Sequence, residues 1–179
     1  MNLANLYAGQ GDAQAAERYY RMALDVDDLF FPAKMNLAVL LSQLGNTDEA
    51  EQLLREILDD YPEQHDAAYS LSLLLVGMGR VDEGLPFLVR AAEGMPQHSR
   101  AQYNLGLLFA QLSRDKEAEA ALQKALSLEP PNFDYLYALV DFYYKRGRFD
   151  EALEIAEKMI EAHPLQPMGH EIKAAIENR

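Results

Sequence analysis

The sequence predicts an all-α chain, an array of antiparallel helix pairs built from one repeated unit, and three sets of spacings carry that prediction. Pro62, Pro96, Pro130 and Pro164 follow one another at intervals of 34 residues. Leu3, Leu37, Leu71, Leu105 and Leu139 keep the same interval. So do Gly11, Gly45, Gly79 and Gly147, with Ser113 in the remaining place. Independent columns in one register mark a structural repeat, and a repeat has to be found before any motif is interpreted.

Each element of the unit has its own physical signal. The first helix shows apolar residues at helical spacing, as in Leu37, Leu40, Leu41 and Leu44. Small residues recur on both helices, in the columns Ala4, Ala38, Ser72, Gly106 and Ala16, Ala50, Gly84, Ala118, Ala152, and allow close crossing. The glycine column supplies the turn, where a left-handed backbone costs least without a Cβ. Acids mark the start of the second helix at Asp48, Asp82 and Asp150. The proline then ends the unit, because it cannot continue a helix and biases its predecessor away from helical angles.

These signals place full repeats at 31–64, 65–98, 99–132 and 133–166, after a partial repeat at 1–30. Pro167 opens a capping helix over 167–178, with Met168, Ile172 and Ile176 on one stripe. The whole of 1–179 is expected to be a single domain of eleven helices without a strand. Pro86 falls inside a second helix and predicts a weak first turn there. Met1 falls within the first helix of its unit, which predicts a piece of a longer polypeptide with an uncapped N-terminal edge.

Composition narrows the function classes. The net charge of −13 argues against nucleic acid and anionic membrane surfaces, both of which need a basic face. There is no cysteine, hence no disulfide, thiolate metal site or cysteine nucleophile. A run of eighteen apolar residues is absent, so no membrane insertion is expected. The chain reads as soluble, with the cytoplasm favoured over the periplasm although cysteine content alone does not fix the compartment. Most of the negative charge sits on the second helices and is expected to be a solvated outer face.

The unit Tyr103-Asn104-Leu105-Gly106, followed by Phe109, Ala118, Leu122, Ala125 and Pro130, resembles the tetratricopeptide repeat. The resemblance spans nearly the whole chain. It departs at the tryptophan column, which holds Lys34, Ala68, Gln102 and Leu136, and at Asp27-Asp28, where later units have proline. It implies a right-handed superhelical stack whose first helices line a concave groove, the usual binding surface of such arrays. Chaperone-binding members carry a basic clamp for a C-terminal carboxylate. Here Met35 and Val39 replace its Lys–Asn pair and Ser70 stands in the next unit, so with Arg100 alone retained that partner is not expected.

The groove positions are Asn36, Tyr69, Arg100, Tyr103, Asn104, Tyr137, Asp141 and Tyr144, with Leu73 and Leu107 in the middle of the stripe. Asparagine amides can pair with any peptide bond, and tyrosines supply contact area with a polar tip. Tyr103 and Asn104 are expected to point into the groove and not into the stack. Together the set suits a peptide or protein segment, so the expected role is a protein-interaction module. Self-association through the N-terminal edge, giving a homo-oligomer, is the alternative.

Catalysis has no foothold in the sequence. His65, His98, His163 and His170 lack the helical spacing of metal ligands and are expected to be solvated boundary residues. Gly77-Met78-Gly79 follows a helix, not a strand, and so does not read as a phosphate loop. No enzyme activity, metal or cofactor is expected.

Overall fold

The computed structural model describes residues 2–178; Met1, which opens the partial repeat, and Arg179 lie outside them. Among the described residues there are eleven α-helices and no strand, as the columns predict. The chain divides into two compact units, Met1–Gly94 and Met95–Arg179. The first holds three helix pairs: α1 (Asn2–Gly9) with α2 (Ala13–Val26), α3 (Phe31–Gln43) with α4 (Thr47–Asp60), and α5 (His65–Gly77) with α6 (Val81–Gly94). The second holds α7 (Ser99–Gln111) with α8 (Asp115–Leu128), α9 (Phe133–Lys145) with α10 (Phe149–Ala162), and then α11 (Pro167–Glu177).

One turn geometry joins the helices of every pair. Gly11, Gly45, Gly79 and Gly147 have φ of 79°, 82°, 78° and 72°, and Ser113 takes the same left-handed region at 58°. The residue after the turn closes it by donating to the carbonyl five residues back. These bonds run Asp12 to Tyr7, Asn46 to Leu41, Arg80 to Leu75, Arg114 to Phe109 and Arg148 to Tyr143, at 2.8–3.0 Å. Each caps carbonyls that the ending helix leaves unpaired.

The small-residue columns are where the helices of a pair meet. Ala4, Ala16, Ala38, Ala50, Ala118 and Ala152 are all fully buried. A Cβ at Gly106 would lie 2.6 Å from Leu122 Cγ, and one at Gly84 would lie 2.9 Å from Val76 Cγ2. Ser72, also buried, satisfies its hydroxyl by donating to the Tyr69 carbonyl at 2.8 Å. α6 runs through Pro86 without ending. In α11 the close approach is made at Gly169, against Ile160; Ile176 is buried while Met168 stays about two-fifths exposed.

The acids of the second helices are less solvated than their density suggests. Glu51 on α4 accepts from Arg80 and Arg55, and only 14% of its side chain is exposed. Glu119 on α8 accepts from Arg148 Nη1 and Nη2 at 2.7 and 3.0 Å, while Arg148 Nε reaches Glu151 at 2.9 Å. Arg80 and Arg148 stand at the same place in their repeats, and each ties its repeat to the preceding one. The arginines hold both carboxyls below the ordinary glutamate range. Part of the negative charge is therefore mortar between repeats.

Candidate functional site

The first-helix face of the first unit is a shallow cleft. α3 and α5 frame about 400 Å³ lined by Val39, Ser42, Ser70, Leu73, Leu74 and Met78. Leu73 is 41% exposed, whereas Leu71, two residues back and on the opposite face of the helix, is fully buried. Asn36, also on α3, does not line this cleft; its amide Nδ2 donates to Asn5 Oδ1 of α1 at 3.1 Å. That same oxygen accepts from the Tyr20 hydroxyl at 2.7 Å, so the asparagine row here ties α1, α2 and α3 together. Tyr69 is half-buried on α5.

In the second unit Arg100 and Tyr103 form one cluster. The guanidinium of Arg100 lies 5.6 Å from the Tyr103 ring centroid, a cation–π contact. On its other neighbour the Tyr103 ring packs against Tyr135, with centroids 4.9 Å apart. Tyr103 therefore points partly into the stack, contrary to the sequence expectation. Burial, with Asp134 adding to it, pushes its phenol above the usual tyrosine range. Tyr135 is buried; its hydroxyl donates to Ser99 Oγ at 3.1 Å, and Ser99 in turn bonds Glu129. Asn104 is half-buried one residue on.

Tyr137, Asp141 and Tyr144 come together on the far side of α9. With Val140, and with Ile172 and Ala175 of α11, they line a pocket of about 250 Å³. Asp141 Oδ2 accepts from Lys145 Nζ at 2.7 Å, and the Tyr144 ring meets Phe149 edge-on at 5.7 Å. A separate cleft of about 280 Å³ between α7 and α9 is lined by Leu107, Ala110, Ala138 and Asp141 among others. Sequence reasoning missed two contributions. Tyr135 shares no stripe with the groove residues, and Ile172 and Ala175 belong to a helix whose apolar stripe reads simply as a cap.

Three of the four histidines do structural work, while His170 is exposed as expected. His98 caps α7, its Nδ1 accepting from the Ala101 N–H at 3.0 Å. His163 Nε2 lies 2.6 Å from the Pro131 carbonyl oxygen, in range to donate to it, and its ring packs edge-on to Phe133. The His65 ring occupies the space where a Cβ on Gly94 would fall. Among the described residues no group of three or more histidine or acidic side chains could hold a metal ion. No described helix is long and apolar enough to cross a membrane.

Comparison with known proteins agrees with this architecture. One family model described as tetratricopeptide repeat matches residues 7–74 and 116–176, and a second with the same description matches 69–132. No curated protein shows significant sequence similarity to the chain. Among solved structures, MamA from Desulfovibrio magneticus RS-1 superposes with a TM-score of 0.83 at 22% identity, over 92% of this chain and 93% of that one. YrrB, described as a TPR protein with an unusual peptide-binding site, gives 0.78 at 23% identity, over 99% and 90%. PilF of Pseudomonas aeruginosa gives 0.84 at 20% identity, over 99% and 81%. At such identities the likeness speaks for the fold alone. With family models covering both compact units, and the helix pairs, turns and crossings already described, the chain belongs to the tetratricopeptide repeat family.

Proposed function

We propose that this chain is a protein-interaction module that binds a peptide or protein segment on the faces of its first helices. The supporting observation is a contrast within those helices. Leu71, Leu105 and Leu139 are buried in the repeats, whereas Leu73, Leu107 and Tyr137 stay about two-fifths exposed on one recurring stripe. Exposed apolar residues in a repeated, clefted arrangement mark an interaction surface. The tetratricopeptide fold is in general a non-catalytic interaction fold, and this reading assigns the chain no enzymatic role, no cofactor and, at a net charge of −13, no nucleic-acid partner.

Peptides selected on the protein from a random display library, then labelled for fluorescence anisotropy, test the proposal. Leu107→Ser combined with Tyr137→Ala should weaken the selected peptides by about 2 kcal/mol or more, as hot-spot truncations do. Asp59→Asn with Glu93→Gln, both on exposed positions of the second helices, should alter little beyond a salt-dependent on-rate. The opposite ranking would move the binding surface to the acidic second helices. Self-association remains the second reading, because Leu3 and Leu6 on α1 are about half exposed. Sedimentation of the chain and of Leu6→Glu decides it: a concentration-dependent dimer lost in the variant would establish this reading, and a monomer at all concentrations would end it.

A further inference from the structure

Resting on the groove reading, we infer that the pocket between α9 and α11 receives a lysine or arginine side chain of a basic peptide. Its floor and walls are apolar: Val140, which is buried, with Ile172 and Ala175. Around them stand two tyrosine rings, Tyr137 and Tyr144, and one carboxylate, Asp141. A long aliphatic stem ending in a cation matches that order of surfaces. The stem buries against the apolar walls while the charged head stays at the rim. There it meets ring faces, which attract cations, and the Asp141 carboxylate. At about 250 Å³ the pocket suits one side chain, below the roughly 300–1,000 Å³ of sites for whole small molecules.

Two further facts favour a cation over a neutral apolar residue. An ammonium already sits on this carboxylate, since Lys145 Nζ lies 2.7 Å from Asp141 Oδ2. That pair is four residues apart on one exposed helix face, a class of ion pair that is weak and readily displaced. The second fact is the −13 net charge of the chain, which draws basic partners and repels acidic ones.

The probes are N-acetyl-lysine methylamide and its uncharged counterpart N-acetyl-norleucine methylamide, titrated into the full chain and followed by amide chemical shifts. The lysine compound should give saturable shifts in α9 and α11 and bind several-fold more tightly than norleucine. Asp141→Asn should weaken it about fivefold, and Tyr137→Ala or Tyr144→Ala about threefold each. Lys145→Gln should strengthen it about twofold by removing the competing ammonium. Equal affinity for lysine and norleucine, indifference to Asp141→Asn, or no saturable shift in α9 and α11 would each overturn the inference. The display peptides separate this from the wider proposal. Peptides weakened by the Leu107 and Tyr137 changes yet without basic residues sink the pocket assignment and leave the groove standing. Saturable lysine binding here, with peptides insensitive to Leu107→Ser and Leu73→Ser, does the reverse.

Discussion

The repeats at 99–132 and 133–166 share one compact unit and one backbone plan, yet they distribute their two demanding positions in opposite ways. At the crossing of its helices the first has Gly106, while the corresponding residue of the second is Val140. In the turn the first has Ser113, where the second has Gly147. α7 and α8 lie more intimately against each other than α9 and α10 do, as the missing Cβ at Gly106 allows. The second repeat instead fills its first helix with buried aromatic residues, Tyr135, Phe142 and Tyr143. The lesson is that the 34-residue plan fixes where a constraint falls, and neighbouring units answer it with close packing or with bulk.

The largest effect is expected from erasing that difference at the crossing. Gly106→Val places atoms against Leu122, a residue 1% exposed and with its backbone nitrogen only 3.0 Å from the would-be Cβ. Relief by a side-chain swing is therefore limited, and overpacking of this kind costs about 1–3 kcal/mol or more. Urea unfolding should show the midpoint falling. An unchanged midpoint would mean that α7 and α8 can move apart freely, and the contrast with the Val140 repeat would lose its meaning.

Second in size is the turn. Gly147→Ser gives the second repeat the first repeat's residue at φ 72°, where a Cβ meets the left-handed penalty of roughly 1–2 kcal/mol. Part of this is returned by the smaller entropy of the unfolded serine, so a net loss of about 1 kcal/mol is expected. Ser113→Gly is the mirror experiment. It relieves the same strain at φ 58° but frees the unfolded chain, and should stabilise by about 0.5 kcal/mol. Thermal melts of the two variants should move in opposite directions. If both fall, Ser113 makes a contribution beyond its backbone.

These pairs also show what could be read in advance. The turn column was legible because only a few residue types accept a left-handed backbone, and Ser113 could be placed by its register even though its type gives no hint. The crossing column was legible as smallness, but not its consequence, since distance to Leu122 depends on how two helices settle. The candidate site was legible as a stripe: Tyr137, Asp141 and Tyr144 do converge. Its ownership was less so. Tyr103 is shared with Tyr135 and Asn36 with Asn5, contacts made across repeats 32 and 31 residues apart in sequence, which a single helix's periodicity does not encode. The same holds for Glu51 and Glu119, whose partners Arg80 and Arg148 lie in the following repeat.

That inter-repeat pairing supplies the smallest and sharpest test. Glu119 accepts two bonds from Arg148 and a third from the Tyr143 hydroxyl at 2.9 Å, which lower its carboxyl below the ordinary glutamate value of 4.5. The folded protein thus binds a proton at Glu119 less readily than the unfolded chain does. By linkage, its stabilising contribution is fully present above about pH 5 and is lost as pH falls through the depressed folded value. Glu151 shares Arg148 and is shifted the same way, so it adds to the same acidic window. Glu119→Gln removes one titration and should flatten the acid limb of stability against pH, while lowering the plateau near neutrality by less than Gly106→Val does. The comparison that isolates the effect is the difference between wild type and Glu119→Gln: it should shrink as pH drops from about 6 towards 3, because the protonated wild-type carboxyl comes to resemble the amide. A difference that stays constant over this range would show that Glu119 acts through packing against Tyr143 and not through its charge on Arg148.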